Sequence, residues 1–82
     1  MSMSEMPLAE RIARVLAGVS LSSNGEGSNG SAADEVDAQW KDHLNQAMAI
    51  LHTMREPDHF MAEAGDPRVW TRMVEAAIQD AE

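Results

Sequence analysis

Cysteine and tyrosine are absent from this chain of 82 residues, and phenylalanine occurs once. Without cysteine the protein can form neither a disulfide framework nor a cysteine-ligated zinc site. Long apolar runs are missing as well, because no stretch approaches the roughly 18 apolar residues that span a bilayer. The first residues show no basic start followed by an apolar run, which a secretion signal requires. We therefore expect a cytoplasmic protein that does not associate with a membrane.

Basic residues are scarce, since six lysines and arginines stand against fourteen aspartates and glutamates, a formal net charge of −8. Residues 24–82 carry the excess, with twelve acids and four bases. A chain of this charge repels nucleic-acid phosphates, so we expect no direct nucleic-acid binding. The acidity serves either solubility or a decoy function, in which residues 34–42 and 56–66 imitate nucleic acid and inhibit a protein that handles it.

Apolar residues recur at helical spacing, which predicts an all-α fold. The first helix is predicted over residues 4–17, with Ser4 as its N-cap and Gly18 as its stop. Its apolar stripe consists of Leu8, Ile12, Val15, Leu16 and Val19. A second helix is predicted over residues 32–54. Its apolar face consists of Val36, Trp40, Leu44, Ala47, Leu51 and Met54, flanked by Met48 and Ile50.

Two prolines mark the starts of the remaining helices, because proline suits the first helical position. A short helix is predicted over residues 57–64, with Phe60, Met61 and Ala64 facing inward. Asp66 and Pro67 then predict the N-cap and first residue of a helix over residues 67–80. The apolar face of this last helix consists of Val69, Trp70, Met73, Val74, Ala77 and Ile78.

The stretch SSNGEGSNGS, residues 22–31, has no apolar side chain and three glycines, which is typical of a flexible linker. The predicted organisation is thus an N-terminal amphipathic helix (1–21), this linker, and a helical core (32–82). Together they form a small bundle of three main helices and one short helix, with a flexible Gly/Ser/Asn-rich loop after the first helix. On this interpretation the first helix docks on its own chain, on a second copy, or not at all.

Few residues could carry out chemistry. His43 and His52 are nine residues apart, so they point to opposite sides of a helix and cannot share a metal there. His59 and Glu63 are spaced for half a metal site, but no third ligand is evident. The hydroxyls of the mid-helix residues Thr53 and Thr71 are expected to bond to the preceding turn. We expect no enzyme, no cofactor and no metal, although a small metal-dependent enzyme remains an alternative.

The second half of the chain resembles small uncharacterised proteins of proteobacteria and their phages or prophages. The resemblance covers residues 40–78 and lies in Trp40, the Met-Arg-Glu-Pro sequence 54–57, Met61, the Ala-Gly pair 64–65, Trp70, Met73 and the Ala-Ala-Ile sequence 76–78. It implies a helical fold with a fixed Glu-Pro break, and it implies no activity, cofactor or catalytic residue.

Seven methionines and two tryptophans are many for a chain of this length. Methionine fills irregular gaps in cores and also suits adaptable binding surfaces. We therefore expect a non-enzymatic protein that binds a protein partner or associates with itself, possible homodimerisation included. The candidate interface residues are Leu8, Ile12, Val15, Leu16, Trp40, Met48, Trp70 and Met73.

Overall fold

The computed structural model describes residues 3–23 and 32–82, and within these ranges the fold is all-α with no strand, as the sequence predicts. Residues 24–31 of the expected flexible linker lie outside the described residues. The elements are α1 (Leu8–Ser23), α2 (Ala32–Gln39), a 3₁₀ turn (Trp40–His43), α3 (Leu44–Met54), α4 (His59–Ala64) and α5 (Pro67–Ala81).

Both predicted ends of the first helix are wrong. Helix α1 begins at Leu8, because the residue before a proline is disfavoured in helical conformation and Pro7 therefore excludes Met6. Ser4 instead accepts a hydrogen bond from the backbone N–H of Met6 at 3.1 Å. The helix continues through Gly18 to Ser23, so this glycine is an interior residue rather than a stop.

The buried stripe of α1 also differs from the prediction. It consists of Ala9, Ala13, Ala17 and Leu21. The alanines follow the predicted Leu8, Ile12 and Leu16 by one residue, which displaces the stripe by about 100° around the helix. Leu8, Ile12 and Leu16 are half-buried. Val15 and Val19 are 65% and 58% exposed, so they do not belong to the core.

Helix α1 contacts α2, the 3₁₀ turn, α3 and α5. Packed helix axes approach closely only where the side chains between them are small, and three alanines meet that condition on α1. Ala9 joins Leu51 of α3 with Val74 and Ile78 of α5 in one apolar cluster. The first helix therefore supplies part of the core in this structure.

The predicted second helix has the expected ends, but it is not continuous. A 3₁₀ turn at Trp40–His43 separates α2 from α3. Gln39, just before the turn, has a φ of −114°, and His43, its last residue, has a φ of −101°. Such a tightened turn changes the direction of the side chains that follow it. In α3, Ala47 and Leu51 are buried as predicted. The other members of the predicted face are half-buried: Val36, Trp40, Leu44, Met48, Ile50 and Met54.

Aspartates begin the last two helices. The Asp58 carboxylate accepts a hydrogen bond from the N–H of Met61 at 2.9 Å and caps α4, so this helix begins at His59 and not at Pro57 as predicted. The Asp66 carboxylate accepts one from the N–H of Arg68 at 2.9 Å, and Pro67 follows at the first turn of α5 as predicted. These caps satisfy amides that have no partner inside the helix.

The predicted inward face of the short helix is wrong. Helix α4 buries none of its residues, and Phe60 is 82% exposed. Met61 and Ala64 are exposed as well. A helix of six residues has too little surface to reach the core between α1, α3 and α5, so its apolar side chains remain on the outside.

Candidate interaction surface

An apolar groove of about 440 Å³ lies between α4 and the first turns of α5. We refer to it as the α4–α5 groove. Its lining residues are Pro57, Met61, Ala64, Gly65, Asp66, Pro67, Val69, Trp70 and Met73. All but Gly65 and Asp66 have an apolar side chain, so the groove suits an apolar occupant rather than a charged one.

The local sequence produces this groove by bringing two helices together across a short connection. Gly65 and Asp66 alone separate α4 from α5. Gly65 is extended, with φ of −165° and ψ of −174°, and its N–H donates to the carbonyl oxygen of Met61 at 3.1 Å. Because α4 ends and α5 begins within two residues, the apolar sides of the two helices face a common space.

The apolar face of α5 is wide, and one part of it packs in the core while another lines the groove. Val74 and Ile78 are buried in the core. Val69 and Met73 lie on the flank of the same arc and are 39% and 65% exposed. Of the face predicted from sequence, therefore, one part packs in the core and another lines the groove.

Trp70 connects these two parts. Its ring packs against the core cluster and also lines the groove. Its indole Nε1 donates to the carbonyl oxygen of Met54 at 2.6 Å, and the neighbouring Thr71 hydroxyl donates to the carbonyl oxygen of Arg55 at 3.0 Å. These bonds satisfy two carbonyls at the C-terminal end of α3, which a helix cannot pair internally. They also fix one wall of the groove.

The two threonines behave differently from each other. Thr53 donates to the carbonyl oxygen of Ala49 at 3.0 Å, in the preceding turn, as predicted. The same prediction for Thr71 is wrong, because its hydroxyl reaches a residue sixteen positions earlier. Spacing along the chain cannot reveal such a bond, since it depends on how α5 lies across the end of α3.

Phe60 stands beside the groove. It precedes the lining residue Met61 by one position, which places it about 100° around α4. Its ring is 82% exposed, the largest apolar group left in water on this helix. The surface thus combines a concave groove with a projecting aromatic ring.

The charge around the groove is nearly balanced. Residues 55–72 contain three arginines and four acids, a net charge of −1, whereas the whole chain carries −8. The acids are Glu56, Asp58, Glu63 and Asp66, and the bases are Arg55, Arg68 and Arg72. The remaining 64 residues therefore carry the other seven negative charges, and the groove lies in a segment of low net charge.

A second cluster of polar and aromatic groups joins α1 to α2 and the 3₁₀ turn. Arg14 pairs with Asp37 and with Glu10, whose Oε2 lies 2.9 Å from its Nε. The guanidinium lies 5.3 Å from the centre of the Trp40 ring, and Lys41 lies 5.8 Å from it. Hydrogen bonding to Asp37, and then to Glu10, raises the pKa of Arg14 above its usual value, so this residue stays charged. The cluster therefore holds α1 against α2 and the 3₁₀ turn.

The candidate interface residues from the sequence therefore do not form one surface. Trp70 and Met73 come together in the groove, and Val15 is exposed on α1. Leu8, Ile12 and Met48 pack against the core cluster, Leu16 is half-buried on α1, and Trp40 lies against Arg14. Sequence reasoning missed Pro57, Phe60, Met61 and Val69 as surface residues. The shortness of the segment between Pro57 and Pro67 was the signal that could have identified them.

The described residues offer no evident metal site, because no three histidine, aspartate or glutamate side chains among them converge on one point. His59 and Glu63 are exposed on α4, near the groove rather than inside it.

Comparison with known proteins adds no family to these observations. No helix in the described ranges is long and apolar enough to cross a membrane. The resemblance of residues 40–78 to small phage and proteobacterial proteins stays a prediction. No protein-family model, no curated protein and no solved structure matches the chain.

Proposed function

We propose that this protein is a non-enzymatic interaction protein of the cytoplasm, a small helical bundle that binds protein through the α4–α5 groove. The observation that carries the proposal is the exposure of apolar side chains around a concave apolar surface. Phe60 and Met73 are 82% and 65% exposed, and both lie at the groove or beside it.

Exposing apolar side chains to water is unfavourable, so their burial by a partner would lower the free energy. Contiguous apolar patches on a monomer commonly mark an interaction site. Two methionines, Met61 and Met73, line the groove, and their unbranched side chains adapt to the shape of an occupant. A helix or a projecting apolar side chain is the kind of group that fits a groove between two helices.

The proposal includes no catalytic step. Thr53 and Thr71 use their hydroxyl groups as donors to backbone carbonyls, which leaves neither oriented toward a base. The groove itself is lined by a single ionisable group, Asp66, whose carboxylate caps α5. Binding is therefore the activity that this geometry favours.

The decoy alternative gains no support from the carboxylates. Asp37 pairs with Arg14, and Glu35 accepts a hydrogen bond from Gln39. Asp58 and Asp66 cap helices. Four of the eight carboxylates in residues 34–42 and 56–66 are thus paired or cap a helix, so we favour the groove over the acidic surface.

The test compares two matched charge insertions. Met73→Glu places a carboxylate in the groove, and Val15→Glu places one at an equally exposed apolar position on α1. Both positions are helical, and glutamate is a good helix former, so we expect both variants to fold. Immobilised chains are incubated with extract of the producing cells. We expect proteins retained by the wild type and by Val15→Glu to be lost with Met73→Glu, and equal retention by both variants would contradict the proposal.

A further inference from the structure

We propose that the occupant of the α4–α5 groove is the same surface of a second copy of this chain. Around a two-fold axis, Phe60 of each copy inserts into the groove of the other. This inference rests on the proposed function, because it names the partner of the same groove.

Self-complementarity is the first argument. A two-fold interface requires one patch to carry both a projecting group and the hollow that receives it, since each contact occurs twice. Helix α4 meets this requirement within two adjacent residues, because Phe60 projects into water and Met61 lines the groove. The groove of about 440 Å³ has ample room for a phenyl ring, given that a cavity of about 150 Å³ accommodates benzene.

Charge is the second argument. Two chains of net charge −8 repel each other over most of their surfaces. Residues 55–72 carry a net charge of only −1 and contain both signs, so two copies that meet there repel each other little. Arg68 has a side chain that is 90% exposed, and it lies at the start of the same helix that lines the groove. Acids and bases at the rim can pair across the two-fold axis.

The size of the surface sets the expected strength. The exposed parts of Phe60, Met61, Val69 and Met73 amount to on the order of 400 Å² per copy, judged against 150–250 Å² for a buried aromatic side chain. A specific interface of standard size buries about 800 Å² per partner. The apolar area here is about half of that value, and polar residues at the rim supply the rest of the contact. We therefore expect a weak dimer. We expect a dissociation constant in the micromolar to sub-millimolar range.

Sedimentation equilibrium of the full chain, from micromolar to millimolar concentration, measures the association directly. We expect the mass to rise from monomer to dimer. Phe60→Ala should weaken dimerisation by at least about tenfold, because an aromatic anchor in a pocket dominates a small interface. Val15→Ala removes part of an apolar side chain of α1 that is 65% exposed, and it should leave the dissociation constant unchanged.

The insertion of Phe60 into the groove of the second copy is tested on the wild-type protein. In a mixture of isotope-labelled and unlabelled chains, isotope-filtered nuclear Overhauser spectra record only contacts between copies. We expect contacts from the Phe60 ring to the Met73 methyl group and to the Trp70 indole. A dimer that lacks these contacts, or one that Val15→Ala dissociates and Phe60→Ala does not, would overturn the inference.

The two proposals fail in different ways. If the chain stays monomeric at every concentration while Met73→Glu abolishes retention of a cellular protein, the second copy is excluded and the groove remains a binding site. If the chain stays monomeric and Met73→Glu changes no retention, both proposals are wrong.

Discussion

Trp70 lies where the core, the end of α3 and the α4–α5 groove meet. The sequence shows only a tryptophan on an apolar helical face. In the fold, its ring packs against the core cluster and its Nε1 donates to the Met54 carbonyl oxygen at 2.6 Å. One side chain therefore couples the stability of the fold to the shape of the groove.

Replacing Trp70 with phenylalanine should reveal this coupling. Trp70→Phe keeps an aromatic ring but removes the donor to Met54, leaving a half-buried carbonyl unpaired. We expect the free energy of unfolding to fall by roughly 1–3 kcal/mol, from the lost hydrogen bond and the smaller ring. Urea denaturation followed by circular dichroism measures this change.

Thr71→Val is the matched control for that experiment. It removes a hydroxyl that donates to the next carbonyl, at Arg55, in a more exposed position where water can replace it. We expect a loss under about 1 kcal/mol. Equal and small losses in the two variants would show that water also satisfies the Met54 carbonyl, which contradicts the role given to Trp70.

At the scale of the element, α1 shows how packing overrides local signals. Glycine is the commonest residue just beyond a helix end, yet α1 runs through Gly18. The five residues that follow, up to Ser23, remain helical, and among them Leu21 is buried. Burial of a leucine outweighs the backbone cost of one interior glycine.

Gly18→Ala should therefore stabilise the protein. A Cβ at this position would meet only the Val36 Cγ2 atom, at 4.0 Å, which is ordinary van der Waals contact. Alanine in a helix interior is more favourable than glycine by about 0.5–1 kcal/mol. We expect the urea midpoint to rise by the corresponding amount with an unchanged denaturant slope.

Gly18→Leu tests the same contact with a larger side chain. Its longer side chain would press against Val36 of α2, so we expect a smaller gain or a loss. Destabilisation by alanine itself would mean that α1 and α2 approach more closely than the structure places them.

At the scale of the whole molecule, the core is assembled from segments on both sides of residues 24–31. Among the described residues, four of the eight buried apolar ones belong to α1, namely Ala9, Ala13, Ala17 and Leu21. The other four lie on α3 and α5. The sequence predicts instead that residues 32–82 build a core alone. Expressing these residues without α1 decides between the two.

Residues 32–82 expressed alone should lose most of their cooperative fold. Without α1, Leu51, Val74 and Ile78 would face water, and a chain this short has little core to spare. Circular dichroism should show reduced helicity and a broad thermal transition. Addition of a peptide of residues 1–23 should restore both, whereas a scrambled peptide should not. A sharp transition in the segment alone would instead support the linker interpretation.

Local chemistry made much of this fold predictable. The cap of α5 by Asp66, the position of Pro67 and the end of α3 at Met54 follow from interactions within a few residues. The groove was less accessible to sequence reasoning. Trp70 and Met73 were candidates, but Phe60 and Met61 were expected inside, because periodicity identifies an apolar face without saying whether another element covers it.

The sequence by itself determined the all-α class and the starts of α2 and α5, since capping, proline and helical periodicity act between neighbours in the chain. Only the tertiary structure decided which face of α1 is buried, where the 3₁₀ turn interrupts the second segment, and that α4 remains outside the core. The physical reason is that these outcomes depend on competition for limited space. The small alanines of α1 let the neighbouring helices pack closely against it. The core is then filled without Phe60, which remains in water.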